Sequence, residues 1–309
     1  MKGKHTVFLD EVSMQDPALL RDAIEVCHAY GVQLFITGDI SSDGKLYQLG
    51  PVSGSREAMF KALTDTAAEL GIEYNWMAPM GLFRQDNDKP LGDFLTELRE
   101  MEEPGDSWDS LFESELFEHI DLSEMMARFD LGKDTVVNPL HCHLHRVTGE
   151  LMTHVVKEES LIPVRCNVNK PVKLEEADDF MRAFLPLDDS GNADTAYDLI
   201  TKGMTQYCTR AALKSAGAKY MRSDELYDKT NEINPMMGVT VHNLQGLTVP
   251  DDSKLYLVYY GDGSEWYDGM DPRFVYVAGS RVRRRQQLII VHLPYAAGGG
   301  HTGKRMRFC

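Results

Sequence analysis

The sequence predicts an α/β protein built on parallel β-sheets with helices packed against them. Strand-sized apolar segments alternate with amphipathic helical segments through the first eighty residues. Polar and charged side chains follow directly after several of the apolar segments. Because open α/β sheets bind their ligands in the loops after the carboxyl ends of the strands, the same pattern predicts where a functional site would lie.

The first strand–helix–strand unit is the clearest part of this pattern. Val7 to Leu9 predicts a strand. Asp16-Pro17 predicts a helix start, since a carboxylate caps free amide groups and proline fits the first turn. Apolar residues recur at helical spacing as far as Gly31, and Val32 to Ile36 predicts the next strand. A second helix is expected between Ser55 and Gly71.

The rest of the chain continues the alternation, with one interruption. Residues 160 to 235 mix short apolar runs with loop signals and predict an insertion. Outside it, helices are expected at about Leu82 to Met101, at about Leu144 to Val156 and from Asp271-Pro272, and strands within Lys133 to Pro139, Gly238 to Val241, Leu255 to Tyr259 and Gln287 to Val291.

Composition limits the class of protein. A chain of 309 residues with 43% apolar content can bury the cores of two domains. No apolar run approaches the roughly 20 residues that a bilayer-spanning helix needs, and the amino terminus lacks the apolar core of a signal peptide. The five cysteines show no paired spacing. We therefore expect an intracellular protein of the cytoplasm or nucleus, without a membrane partner.

The charge of the chain is uneven. A net charge of −16 argues against indiscriminate coating of nucleic acid. Residues 86 to 130 carry much of the acid, whereas Arg281 to Arg285 form a dense basic cluster. A narrow nucleic-acid groove is therefore compatible with the sequence.

Five short motifs follow the predicted strands in order. They are Asp10-Glu11-Val12-Ser13-Met14; Gly38-Asp39 with Gln48-Leu49-Gly50-Pro51-Val52; Phe83-Arg84-Gln85; the segment TVHNLQGLT from Thr240 to Thr248; and the segment YVAGSRVR from Tyr276 to Arg283. The series resembles motifs II to VI of the superfamily 1 DNA helicases, in the RecD-like and Pif-like lineage, in the family's order.

The resemblance implies a role in ATP hydrolysis for the first motifs. Asp10 would hold Mg²⁺, a hard ion that prefers carboxylate oxygen. Glu11 would orient and deprotonate the attacking water, and Gln48 would sense the γ-phosphate. Arg84 and Arg281 would approach from a second domain and neutralise the charge that develops on the transferred phosphoryl group.

The resemblance also implies contacts that couple the nucleotide to single-stranded DNA. Such contacts are expected from Thr240, His242 and Gln245, and a strand would pass closely over Gly246. Gly38, Asp39 and Arg283 complete the implied coupling set. The chain departs from the family's pattern at three places: eight extra residues lie between Asp39 and Gln48, Asn243-Leu244 replaces the usual lysine and small residue, and Gly279 takes a position that is usually apolar and bulkier.

The implied architecture is two RecA-like parallel-sheet domains. Residues 1–80 would form a first domain that is incomplete at its amino-terminal side, and residues 81–309 would form the second. The insertion at about 160–235 is where this lineage often places a small β-barrel. The implied activity is ATP-dependent unwinding of DNA or translocation along it.

Three other features invite functional interpretations that the sequence favours less. His141-Cys142-His143-Leu144-His145 has the composition of a metal site, but it enters a predicted helix and lacks a second ligand pair. Trp76, Trp108 and Trp266 could stack on bases, although burial is the commoner role of tryptophan. Gly298 to Lys304 matches G-x₄-G-K, but Arg305 follows where a serine or threonine is needed.

The family's phosphate loop, G-x₄-G-K-[ST], does not occur among the 309 residues. Three hypotheses stay open: the carboxyl-terminal part of a helicase whose phosphate loop comes from a missing segment or a partner chain, a catalytically inactive helicase-like binding module, or an unrelated α/β protein.

The first prediction concerns the purified chain alone. We expect no DNA-stimulated ATPase activity, because the loop lysine and backbone amides that hold the phosphates are missing. A colorimetric phosphate-release assay with and without single-stranded DNA checks this. Robust turnover that disappears in Glu11→Gln would contradict it.

Overall fold

The computed structural model describes residues 6–39, 56–77, 83–100, 115–138, 141–166, 170–171, 199–200, 205–214, 233–260 and 273–293. Its strands are β1 (Thr6–Leu9), β2 (Gln33–Ile36), β3 (Glu118–Asp121), β4 (Thr135–Asn138), β5 (Leu161–Cys166), β6 (Lys170–Pro171), β7 (Leu199–Ile200), β8 (Thr205–Thr209), β9 (Ile233–Pro235), β10 (Gly238–Thr240), β11 (Leu255–Tyr260) and β12 (Leu288–Leu293). Its helices are α1 (Pro17–Ala29), α2 (Arg56–Leu70), α3 (Lys89–Glu100), α4 (Leu122–Arg128), α5 (His141–His154), α6 (Val241–Leu244) and α7 (Arg273–Arg281).

The chain divides into two compact units. The first comprises Met1–Leu116, Leu244–Val249 and Trp266–Arg285, and the second comprises Phe117–Asn243, Pro250–Glu265 and Gln286–Cys309. The segment TVHNLQGLT, from Thr240 to Thr248, is therefore divided between the two units, with the boundary after Asn243.

The first unit contains the predicted strand–helix–strand. β1 and β2 pair in parallel, with Phe8 opposite Phe35. Asp16 caps α1 as predicted, since its Oδ1 accepts a hydrogen bond from the Ala18 amide at 2.8 Å. A core cluster of buried residues joins this sheet to α1 and α2: Val12, Leu20, Ile24 and Met59.

The helix predicted from Leu82 begins later, at Lys89. Residues Phe83–Gln85 form a separate 3-10 turn. Asp88 then caps α3, because its Oδ1 accepts a hydrogen bond from the Leu91 amide at 3.3 Å. The sequence pattern alone did not separate the turn from the helix, since both place apolar residues at similar spacing.

The second unit is built on a five-stranded sheet in the order β10-β4-β11-β12-β3. All four pairings in it are parallel. Leu257 and Ile290, paired with each other in β11 and β12, are both 1% exposed. Near-complete burial on both faces explains why these strands read as continuous apolar runs in the sequence.

The edge strand β3 and helix α4 were not predicted. Both lie in the acidic segment, where β3 has the sequence Glu118-His119-Ile120-Asp121 with Ile120 as its one buried residue. A single buried position gives no periodic signal, so tertiary pairing with β12 decides this strand.

Part of the predicted insertion is described. β5 pairs antiparallel with both β8 and β9 in a three-stranded sheet. β6 and β7 form a separate two-residue antiparallel ladder. The small β-barrel expected here stays a prediction, because much of residues 167–232 lies outside the described part of the chain. Among the helices that the structure describes, none is long and apolar enough to cross a membrane.

A tight contact in the second unit gives the second prediction. A Cβ at Gly238 would lie 2.6 Å from the Val136 carbonyl oxygen and 2.9 Å from Leu144 Cδ2. Gly238→Ala must therefore displace a neighbouring strand, and we expect it to lower the free energy of unfolding by about 1–3 kcal/mol. Urea unfolding followed by circular dichroism measures the change.

Gly149→Ala in α5 is the matched control. A Cβ there meets nothing within 4 Å. Because alanine favours a helix more than glycine does, this variant should be as stable as the wild type or up to about 1 kcal/mol more stable. Equal unfolding midpoints for Gly238→Ala and the wild type would refute the packing argument.

Candidate functional site

The turn after β1 orients the first acidic pair. The Thr37 amide donates to the Leu9 carbonyl at 2.8 Å, and the Val12 amide donates to the Thr37 carbonyl at 2.9 Å, so the ends of β1 and β2 are joined. Asp10 Oδ1 accepts the Glu11 amide at 2.9 Å and also the Thr37 hydroxyl. Within the described part of the chain, Asp10 Oδ2 makes no hydrogen bond and is free to bind an ion.

The backbone at Glu11 is strained. Among the residues that the structure describes, Glu11 is the single non-glycine residue with a positive φ, at 52°. Such conformations persist where the surrounding structure imposes them, often at functional sites. Here the following turn packs against the end of β2: a Cβ at Gly38 would lie 3.0 Å from Val12 Cγ1 and 3.2 Å from the Ser13 amide. Because Gly38 has no Cβ, the turn can approach the end of β2 closely.

The last turn of α7 holds a buried guanidinium group. Arg281 is only 4% exposed. Its Nε donates to the Val277 carbonyl at 3.2 Å and to Ser280 Oγ at 3.0 Å, and its Nη2 donates to the same hydroxyl oxygen at 2.7 Å. Its Nη1 makes no hydrogen bond to any residue in the described ranges, so donors remain for a ligand.

The Phe83–Gln85 turn is tied to the end of α7. Arg84 Nη1 donates to the Ser280 carbonyl. Gln85, which is 3% exposed, donates from Nε2 to the Val282 carbonyl at 2.8 Å and approaches the Ser280 carbonyl at 3.4 Å. The predicted residues Arg84 and Arg281 are therefore held beside each other in the first unit.

The charges of this cluster act on one another. Burial raises the pKa of Glu11 above its ordinary value; Asp39 and Asp10 raise it further, while Arg281 and Arg84 oppose the shift. Burial also lowers the pKa of Arg281, with a further contribution from Arg84, against the opposing charges of Asp39 and Glu11. The site thus combines acids that repel one another with two cations that partly compensate them.

The residues of the TVHNLQGLT segment divide between the units. Thr240 ends β10 in the second unit, where its Oγ1 accepts the Asn243 amide at 3.4 Å, and His242 is partly buried in α6. Gln245 is buried in the first unit, and Gly246 has the left-handed φ of 78°. Arg283 is exposed after α7.

Several sequence features lie outside the described residues. They are Gln48, the extra residues Ile40 to Tyr47, Trp108, Trp266 and the segment from Gly298 to Lys304. Trp76 is described, and its ring meets that of Phe60 edge-on at a centroid distance of 6.4 Å.

The histidine-rich segment lies in α5. The segment begins the helix, as the sequence predicts, and consecutive histidines of the segment are two positions apart, a spacing that places residues on different faces of a helix. Across the described ranges, no group of three or more His, Cys, Asp or Glu side chains is placed to bind a metal ion. Burial lowers the pKa of His143 to about 4, and Arg146 adds to this, so His143 is neutral at physiological pH.

Three residues that the motif pattern did not assign have structural roles in the site. Thr37 holds Asp10, Ser280 binds Arg281 through its hydroxyl, and Asp88 Oδ2 accepts the Arg285 amide at 2.7 Å, which fastens the start of α3 to the segment after α7. In the sequence, the available signal for these residues was their position near motif residues. Only the tertiary structure shows which atoms they contact.

The fold is similar to that of solved helicases. The structure of Bacteroides Pif1 bound to ssDNA matches with a TM-score of 0.50 and 17% identity, over 93% of this chain and 70% of that one. The chain has a Pif1-helicase-like fold. The Pif1 helicase of Candida albicans matches over 93% of this chain and 72% of its own, with a TM-score of 0.49 and 16% identity.

A second Bacteroides Pif1 structure, in complex with ADP-AlF3 and ssDNA, matches with a TM-score of 0.47 and 15% identity over 93% of this chain and 70% of that one. No protein-family profile matches the chain. No curated protein matches it in sequence. The Pif1-like assignment therefore rests on the fold, and it agrees with the lineage that the motif series resembles.

The third prediction follows from the raised pKa of Glu11. The folded chain binds this proton more tightly than the unfolded chain does, so stability falls as the pH rises from the ordinary value of 4.5 through the raised folded value. Glu11→Gln removes this penalty. Its melting temperature should exceed that of the wild type at neutral and mildly alkaline pH, and the difference should shrink as the pH approaches 4.5.

Differential scanning fluorimetry across this pH range measures the effect. Glu97→Gln, which changes an exposed carboxylate of α3, is the control and should follow the wild-type curve. If Glu11→Gln is less stable than the wild type at neutral pH, attraction to the two arginines outweighs the effect of burial on the pKa of Glu11.

Proposed function

We propose that this chain provides the motor of an ATP-dependent DNA helicase or translocase that moves on single-stranded DNA. The observation that carries the proposal is the grouping, in the first unit, of a strained and partly buried carboxylate, Glu11, with the guanidinium groups of Arg84 and Arg281. A base beside two cations is the arrangement that phosphoryl transfer to water requires.

Glu11 is proposed as the general base. Its raised pKa makes it a better proton acceptor than an ordinary carboxylate. In this role Glu11 would orient and deprotonate the attacking water. Asp39 contributes negative charge beside it, which supports the shift.

Arg281 and Arg84 are proposed to stabilise the charge on the transferred phosphoryl group. Arg281 is buried, so its donors act in a medium of low dielectric constant and need little reorganisation during the reaction, whereas Arg84 is exposed. The Ser280 hydroxyl and carbonyl hold both guanidinium groups, which leaves Nη1 of Arg281 to bind phosphate oxygen. Gln48 is proposed to contact the γ-phosphate from the segment outside the described residues.

ATP and Mg²⁺ are the cofactors that this arrangement fits. Asp10 has one oxygen engaged by Glu11 and Thr37 and one oxygen without a partner among the described residues, and carboxylate oxygen is the ligand that Mg²⁺ prefers. When bound, the ion would neutralise phosphate charge. Asp10 would hold it, and Thr37 would keep the carboxylate oriented.

Single-stranded DNA is the proposed partner. The similar Bacteroides Pif1 structure is bound to ssDNA, and the motif series includes the residues expected to couple nucleotide to DNA: Gly38, Asp39, Thr240, His242, Gln245, Gly246 and Arg283. We further propose that a phosphate loop is supplied by another segment or by a partner chain, because G-x₄-G-K-[ST] does not occur among the 309 residues. That same absence favours the second candidate, a catalytically inactive helicase-like binding module.

The fourth prediction separates the two candidates. A segment that carries G-x₄-G-K-[ST] is fused ahead of Met1, and phosphate release is measured with single-stranded DNA. We expect DNA-stimulated hydrolysis, with kcat at least about 100-fold lower in Glu11→Gln and Arg281→Ala because each removes a charge that acts in the transition state.

Glu97→Gln in the same fusion is the control and should retain full activity. A folded fusion that binds DNA but hydrolyses no ATP would favour the binding module. Full activity in Glu11→Gln would remove Glu11 from the role of general base.

A further inference from the structure

A cleft of about 410 Å³ lies within the second unit, and its described lining shares no residue with the hydrolytic cluster. One wall is formed by the loops that lead into β4 and β10, and the other by the outward face of β5 and β8. The residues that matter for binding are Lys133, Pro163, Arg165, Tyr207, Met236 and Asn243. The volume lies within the range of about 300–1,000 Å³ that is typical of small-ligand sites.

An exposed aromatic ring stands on one wall. Tyr207 of β8 is 71% exposed and lies directly opposite Pro163 of β5. Because side chains alternate along a strand, Pro163 and Arg165 share this face, whereas Ile162 is fully buried on the other. A tyrosine ring open to solvent beside a guanidinium group, on the face of an antiparallel sheet, is a surface on which a nucleobase can stack.

Positive charge adjoins the ring. Arg165 Nη1 reaches Met236 Sδ at 3.8 Å, and the guanidinium group has no carboxylate partner in the described part of the chain. Across the cleft, Lys133 Nζ pairs with Asp252 at 3.0 Å, but both side chains are at least half exposed. Such a surface pair contributes little stability, so Lys133 can exchange its partner for a phosphate group.

The acid in the cleft wall is already engaged. Asp134 Oδ1 accepts the Lys254 amide at 2.8 Å, and its Oδ2 accepts the Asp130 amide at 3.0 Å. Both carboxylate oxygens of Asp134 are thus hydrogen-bonded to backbone amides. The groups left to meet a ligand are therefore a ring, two cations and the side-chain amide of Asn243, which suits a nucleotide with one base and one phosphate.

We propose that this cleft binds one nucleotide of a single-stranded DNA, with the base stacked on Tyr207 and the phosphate paired with Arg165 and Lys133. Asn243 belongs to α6, the same helix as His242, so the cleft continues the segment proposed to couple nucleotide to DNA. The inference rests on the proposed binding of DNA. It adds a contact outside the motif residues.

A strand suits this cleft better than a free nucleotide does. The ring of Tyr207 offers one stacking face, and the opposite side of a bound base would stay largely in solvent. One stacked face and one ion pair give weak binding by themselves. A strand already held at other contacts delivers the next nucleotide at a high effective concentration, so the same contacts then contribute to affinity.

The fifth prediction tests this with the full chain. Fluorescence anisotropy measures the Kd for a labelled oligothymidylate of about 16 nucleotides. Tyr207→Ala should weaken binding about tenfold, because one base loses its stacking surface. Tyr207→Phe keeps the ring and should retain affinity. Leu161→Ala is the matched control, because Leu161 is 62% exposed on the same face but does not line the cleft.

Photocrosslinking gives an independent readout. With 5-iodo-2′-deoxyuridine in the oligonucleotide, mass spectrometry should locate a crosslink at Tyr207. Wild-type affinity in Tyr207→Ala, with crosslinks elsewhere, would overturn the cleft as a DNA site and leave the proposed function intact. No binding of the oligonucleotide by the wild type would overturn both, and displacement by thymidine monophosphate at equal concentration would assign the cleft to free nucleotides instead.

Discussion

The carbonyl group of Ser280 is the acceptor on which the candidate hydrolytic site depends. Arg84 and Gln85 both donate to it, although 196 positions separate Arg84 from Ser280 in the chain. The hydroxyl of the same residue holds the guanidinium group of Arg281. Since buried polar groups must be paired, these bonds leave the buried Arg281 few alternative positions, and they hold the exposed Arg84 beside it. One residue of α7 thereby fixes two cations that come from distant parts of the sequence.

Several features of the candidate site lower the stability of the folded chain, which is expected where function competes with stability. Glu11 has a strained backbone and a raised carboxyl pKa, and Arg281 is a cation buried to 4% exposure. The surrounding structure offsets these costs. The apolar cluster formed by α1, α2, β1 and β2 includes Val12 of the same turn, so the turn is anchored in a packed core.

In the second unit the five-stranded parallel sheet buries both faces of its central strands. Almost no side chain that could bind a ligand therefore lies in the interior of this sheet. Polar and aromatic groups are available instead where the sheet meets the antiparallel strands β5 and β8. Alternation along β5 buries Ile162 and Val164 and turns Pro163 and Arg165 outward. The cleft at Tyr207 is a consequence of that alternation, which combines a rigid apolar support with an open, cationic surface.

The sequence by itself determined the fold class, the strands with continuous apolar runs, and the cap of α1 at Asp16, because each depends on local pattern. Through the resemblance to helicase motifs it also predicted Glu11, Arg84 and Arg281 as candidate site residues. Tertiary structure alone decided the strand β3, the separate turn before α3, and the roles of Thr37, Asp88 and Ser280. These features depend on partners far away in the chain, whose hydrogen bonds and burial leave no periodic trace in the local sequence.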